Sequence, residues 1–195
     1  LQAAKLQVDP RRLSSYHWSL IPDDVECLRK ESYAYEMKAC LNETELASTR
    51  EAMIRDSAVV TKHLHWVKHE AVKEGLNEYE VQTELTHKRQ SLPNFLDESF
   101  TTISAYGPNA AMMHYSASED DATVLKEEGL YLCDCGSQFF DGTTDITRTI
   151  ALGPVSDEMK KDFTYTLKSH IQLASTVFKE GTTGTVLDGI TRAPL

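Results

Sequence analysis

The run Cys133-Asp134-Cys135-Gly136-Ser137-Gln138-Phe139-Phe140-Asp141-Gly142-Thr143-Thr144-Asp145-Ile146-Thr147-Arg148-Thr149 constrains this chain most, because it alternates like a β-hairpin yet plants carboxylates in both arms. Alternation from Leu130 to Cys135 sends Leu130, Leu132 and Asp134 to one face and Tyr131, Cys133 and Cys135 to the other. From Thr143 to Ile150 it groups Thr143, Asp145, Thr147 and Thr149 against Thr144, Ile146, Arg148 and Ile150. Aspartate is disfavoured inside strands, so two of them flanking an Asp-Gly turn signal call for a cation. Opposed residues in an antiparallel pair share a constant number sum, so parity decides the face. A turn at Asp141-Gly142 puts both carboxylates on one face but offset by roughly 13 Å, too far for one metal site. A register centred between Phe139 and Phe140 sets Asp134 directly opposite Asp145, with side-chain carbons about 5 Å apart. That register requires a bulge or irregular loop around Asp141-Gly142, a device common beside active sites.

The remaining composition is that of a protein folding in water: 195 residues, 41% hydrophobic and 26% charged. No apolar run is long enough for a membrane span, and Leu1 does not open a secretory signal, so no membrane partner is expected. The net charge of −10 argues against nucleic acid, which is bound through clustered Lys and Arg. Cys27, Cys40, Cys133 and Cys135 lack the Cys-x-x-Cys spacing of structural zinc and read as reduced packing thiols, which fits a cytoplasmic location.

Lys5 to Val8 alternates as a strand, Asp9-Pro10-Arg11-Arg12-Leu13 opens a short helix, and Val25 to Leu28 reads as another strand. These pieces cannot bury a core alone and look like the end of a larger unit. Asn42-Glu43-Thr44-Glu45 is a capping sequence for a long helix ending at Gly75, with Leu46, Met53, Ala58, Val60, Leu64 and Val67 as its apolar stripe. Asn77 starts a second helix that runs to Gln90. Strands are expected over Thr101 to Ala105, Leu130 to Phe140 and Thr143 to Leu152, then a helix over Ser156 to Phe178.

His65 and His69 have the i, i+4 spacing of a metal pair, but Glu70 is misplaced for a His-Glu-x-x-His site, so the cluster of His63, His65 and His69 reads as solvated or packing residues. His114 stands apart. It lies in Tyr106-Gly107-Pro108-Asn109-Ala110-Ala111-Met112-Met113-His114-Tyr115, a bending loop about 20 residues before the hairpin, and such loops carry function. Asp134 and Asp145 are the metal candidates, since Arg148 falls on the opposite face by parity and does not account for them. Oxygen donors of this kind suit Mn²⁺, Co²⁺ or Zn²⁺, and two are too few to close a site.

These motifs, together with Lys38-Ala39-Cys40-Leu41-Asn42-Glu43-Thr44-Glu45, resemble aminopeptidase P, the Xaa-Pro aminopeptidases of the pita-bread metallopeptidase group, over about residues 36–195. The resemblance implies an α+β pita-bread (creatinase/aminopeptidase-like) fold, its curved antiparallel sheet flanked by helices. It implies two divalent ions, Mn²⁺ first with Zn²⁺ or Co²⁺ as alternatives, held by two aspartates eleven positions apart, a histidine and two glutamates. Asp134 and Asp145 match the aspartates, and His114 matches a histidine that contacts the substrate or the developing oxyanion. The activity implied is release of the N-terminal residue from peptides with proline second, by a metal-bridging hydroxide, in a cytoplasmic enzyme that could be a homodimer. A metal-free peptide-binding module or a creatinase-like hydrolase is the alternative. The remaining His and two Glu are expected beyond Leu195. Residues 1–38 then close a preceding amino-terminal domain and residues 39–195 form the first half of the catalytic domain, inactive alone.

Overall fold

The computed structural model describes residues 5–195; residues 1–4, part of the segment read as closing an amino-terminal domain, lie outside them. The chain divides into two compact units, one ending at Glu51 and the other Ala52–Leu195. In the first, β1 (Lys5–Val8) pairs in parallel with β2 (Glu26–Arg29). The helix expected at Asp9 starts later: Asp9 instead accepts from the Arg11 amide in a turn, and α1 (Ser15–Ser19) is capped by Ser14. A short α2 (Tyr33–Ala39) follows.

The long helix is α3 (Glu43–Trp66), and its cap is Asn42, which exchanges hydrogen bonds with Glu45 as a capping box. A π-helical turn (Val67–Ala71) interrupts it before α4 (Val72–Glu74), and Gly75 ends it with φ of 70°. Its buried row is Ala52, Asp56, Val60 and His63, continuing to Val67. Of the expected stripe only Val60 and Val67 are fully buried, because two polar side chains hold places on the inward face. The next helix, α5 (Glu78–Gln90), carries the Asn77 capping box and buries Glu78, Val81, Leu85 and Arg89.

β3 (Phe95–Glu98) and β4 (Ile103–Tyr106) lead into the hairpin. Its arms do not form two long strands. They split into β5 (Leu130–Cys135), β6 (Ser137–Phe139), β7 (Gly142–Thr143) and β8 (Ile146–Ala151). The stem belongs to an antiparallel sheet ordered β4-β5-β8 and the tip to a second sheet ordered β3-β6-β7. The seam is Gly136, where an added Cβ would meet Ser99 Oγ and the Thr144 carbonyl at 2.2 Å, so no side chain fits. Tyr131, Cys133, Cys135 and Ile146 on one sheet face pack with Val60, Val81 and Leu85 as the core. Finally, α6 (Asp157–Ser175) and α7 (Gly184–Arg192) follow, and α6 leaves Met159, Phe163, Leu167 and Ile171 exposed at helical spacing.

Candidate metal centre

The ladder of β5 with β8 pairs Asp134 with Thr147 and Cys135 with Ile146. The tip continues the same register, pairing Gln138 with Thr143 and Phe139 with Gly142, so the turn is Phe140-Asp141. This corrects the expectation of direct opposition between Asp134 and Asp145. Neither a bulge nor an Asp141-Gly142 turn is used, because Asp141 is engaged elsewhere. Burial works to raise its carboxyl, but Arg55 Nη2 donating to it at 2.7 Å and Asn94 Nδ2 at 3.2 Å together outweigh that and hold it below the usual range. Asp145 is two residues from the position opposite Asp134, a diagonal neighbour at about 7–8 Å. Parity survives the change of register: Thr144 and Ile146 are buried while Asp145 and Thr147 are exposed. Thr147 Oγ1 donates to Asp134 Oδ1 at 2.7 Å, fixing that carboxylate on the Asp145 side of the sheet.

Two hard carboxylates on one face suit a divalent ion in donor type. They are a partial set, since among the described residues no third His, Cys, Asp or Glu joins them. In donor type and placement, Asp134 and Asp145 are the side chains of this chain that would suit such an ion.

The sheet's other face holds what sequence reasoning missed. Arg89 and Asp56, both fully buried, form a two-pronged pair, with Arg89 Nε to Asp56 Oδ1 at 2.8 Å and Nη2 to Oδ2 at 2.9 Å. Arg89 also donates to the Gly136 carbonyl and the Cys135 sulfur, each at 3.3 Å. Burial works against the charge of Arg89, but the Cys135 sulfur and the Asp56 carboxylate outweigh it and hold the guanidinium above its usual range. Ser137 Oγ donates to Asp56 at 3.3 Å, and Thr144 Oγ1 donates to its other oxygen. The signal in the sequence is weak, because the buried row of each helix carries a second polar member, His63 with Asp56 and Glu78 with Arg89.

His114 is exposed on the loop after a short 3₁₀ turn (Gly107–Ala111). Its loop is tied down on both sides by the buried Glu78. Glu78 accepts from the Tyr106 amide at 2.6 Å, Tyr115 OH at 2.7 Å, the Thr123 amide at 2.9 Å and Asn109 Nδ2 at 3.1 Å. Burial, reinforced by Glu78, pushes the Tyr115 phenol up to about 12, so it stays a donor. The start of the loop, Tyr106 to Ala110, borders a groove of about 730 Å³ with Leu130, Leu132 and Thr149, the sheet face that carries Asp134.

Other candidates fall away. His65 and His69 are exposed with rings 4.5 Å apart, and no third ligand joins them among the described residues. His63 is buried with neither ring nitrogen hydrogen-bonded; burial, helped by Lys88 and Arg89, pushes its pKa down to about 3. Cys27, Cys40, Cys133 and Cys135 are free thiols.

Comparison with known proteins decides the family, for residues 47–195 match metallopeptidase family M24. The chain belongs to that family. It is 42% identical over 159 residues to a probable Xaa-Pro aminopeptidase P of Paracoccidioides brasiliensis, covering 80% of this chain and 26% of that protein. Against the Laccaria bicolor protein of the same description the figures are 41% over 162 residues, 82% and 25%. Among solved structures, the X-prolyl aminopeptidase of Caenorhabditis elegans, described as a cytosolic enzyme with a di-nuclear active site, superposes with a TM-score of 0.81 at 32% identity, covering 90% of this chain and 29% of that one. A Bacillus anthracis Xaa-Pro dipeptidase gives 0.77 at 26% identity, with 97% and 51% covered. The M24 chain thus has the α+β pita-bread fold and spans about a quarter of the curated relatives it matches. No helix among its described residues is long and apolar enough to cross a membrane.

Proposed function

We propose that the protein carrying this chain is a metal-dependent aminopeptidase that releases the N-terminal residue from peptides with proline in second position. The observation that carries the reading is the pair Asp134 and Asp145, set on one sheet face and diagonal to each other inside the region that matches the M24 family. Two carboxylates set as neighbours on one face repel each other, and a shared counter-ion relieves that repulsion. That disfavours a metal-free binding module or creatinase-like hydrolase.

In this reading Asp134 and Asp145 hold two divalent ions, Mn²⁺ first and Zn²⁺ or Co²⁺ otherwise, with a His and two Glu from further along the protein. When bound, such ions supply a water deprotonated near neutral pH and a Lewis acid for the scissile carbonyl. Thr147 keeps the Asp134 carboxylate aimed at the site through its 2.7 Å hydrogen bond. His114 hydrogen-bonds the carbonyl oxygen of the substrate as charge develops there. Proline's imide nitrogen has no hydrogen to offer, so recognition falls to ring shape and the free amino terminus; the groove beside Leu130 and Leu132 offers apolar wall for it. Residues 1–38 close an amino-terminal domain and 39–195 open the catalytic one. The metallopeptidase family match begins at residue 47, downstream of that boundary, which supports placing the catalytic part after the first segment. A cytoplasmic location is supported by the four free thiols, and a homodimer is compatible with the reading.

The test is peptide hydrolysis by the full-length protein with added Mn²⁺. We expect cleavage of Xaa-Pro peptides, its loss in Asp145→Ala, and none from residues 1–195 alone, which bring two carboxylates to a site that needs more ligands. Turnover by residues 1–195 alone, or full activity in Asp145→Ala, overturns the reading.

A further inference from the structure

We propose that the buried Asp56–Arg89 pair is a positioning device for the metal-binding hairpin, setting the spacing of Asp134 and Asp145 from behind the sheet; this rests on the metallopeptidase reading above. The four contacts that leave the pair for the hairpin reach Cys135, Gly136, Ser137 and Thr144. The first of these immediately follows Asp134 and the last immediately precedes Asp145. Thr144 closes the unit: its hydroxyl donates to Asp56 while accepting from the Ser137 amide at 2.9 Å, and its own amide donates to the Ser137 carbonyl at 2.9 Å. One bidentate pair thereby grips both arms at the seam where the hairpin leaves one sheet for the other.

The chemistry explains why a charged pair serves here. A lone cation near the two aspartates competes with the metal for their oxygens. Arg89 is placed on the Cys135 side of the sheet and its charge is matched by Asp56, so it fixes backbone and hydroxyl positions without neutralising the ligands. Buried ion pairs contribute little net stability over apolar residues of like volume, which leaves geometry as what this one supplies. Residues that orient metal ligands typically change metal affinity by 10–100-fold when removed.

The experiment uses the full-length protein. The apolar double variant Asp56→Leu/Arg89→Met, Arg89→Lys, Thr144→Val and Thr144→Ser are compared by thermal midpoint of the metal-free form, Mn²⁺ affinity by calorimetry, and kcat and KM on an Xaa-Pro peptide. For the double variant we expect a metal-free midpoint near that of the parent, Mn²⁺ affinity down by roughly 10–100-fold and a fall in kcat with KM changed less than about twofold. Thr144→Val, which keeps both charges, should lose about 3–10-fold in Mn²⁺ affinity, with Thr144→Ser restoring it. Parent-like affinity and kcat in a folded double variant, or in Thr144→Val should the double variant fail to fold, overturns the proposal. A parent protein that binds no divalent ion and cleaves no Xaa-Pro peptide overturns instead the metallopeptidase reading on which it stands.

Discussion

Two buried carboxylates support the candidate site, and they are satisfied in opposite ways. Asp56, behind the hairpin, is matched by the guanidinium of Arg89 and two hydroxyls. Glu78, under the His114 loop, accepts only from neutral groups: two backbone amides, the Asn109 amide nitrogen and the Tyr115 phenol. A guanidinium fork imposes direction on rigid strands. A cage of neutral donors, most of them on the loop itself, holds a segment that has no strand partner of its own. The hairpin is therefore clamped from outside, while the loop is gathered around a single acceptor.

The largest effect should come from breaking the charge match. Arg89→Ala leaves Asp56 uncompensated in the interior and should cost the metal-free full-length protein about 3–5 kcal/mol in denaturant unfolding. The double apolar variant should recover most of that loss, and a loss equal to the single variant's would show that the pairing is not what matters. Next, His114→Ala should lower turnover by roughly 100-fold, the loss expected for one oxyanion donor, with Mn²⁺ content unchanged by elemental analysis. Loss of an ion in step with activity would make His114 a ligand instead. Glu78→Gln turns one acceptor into a donor facing donors and should cost about 1–3 kcal/mol. Hydrogen exchange should quicken at the amides of Tyr106 and Thr123 and stay slow at Ser137 and Thr144; equal change in both regions would erase the contrast between them.

The smallest effect isolates a third buried group. His63 has a folded pKa of about 3 against 6.5 unfolded, so the unfolded chain binds the extra proton. Its contribution is complete above pH 6.5 and is lost as pH falls towards 3. Between pH 7.5 and 5.5 it should remove about 1.4 kcal/mol. His63→Leu should flatten that part of the stability profile, and an unchanged slope would assign acid sensitivity to another group.

Local chemistry was legible in the sequence. Asn42 and Asn77 cap their helices with the glutamate three residues on, and Gly75 takes the left-handed conformation that stops the first. The common face of Asp134 and Asp145 was legible too, since parity depends only on alternation. The register was not. Asp141-Gly142 looks like a turn centre, but Arg55, 86 residues away in sequence, and Asn94 take hold of Asp141 and leave Phe140 and Asp141 at the bend. Asp56 and Arg89 escaped for a similar reason: each looks like a surface charge until the other helix is placed beside it.

The unbroken register of the hairpin also sets rules for how this segment can change length. Eleven positions separate Asp134 from Asp145, and the two strands keep one pairing from stem to tip. Insertion or deletion of a single residue between them shifts one arm by one place and turns Asp145 into the core. Adding or removing two residues at the tip, where Phe140 is 80% exposed, keeps both carboxylates on their side. Length variation in this hairpin should therefore come in even steps, and confined to the tip, because Gly136 and Thr144 are locked to their neighbours and have no room to slide.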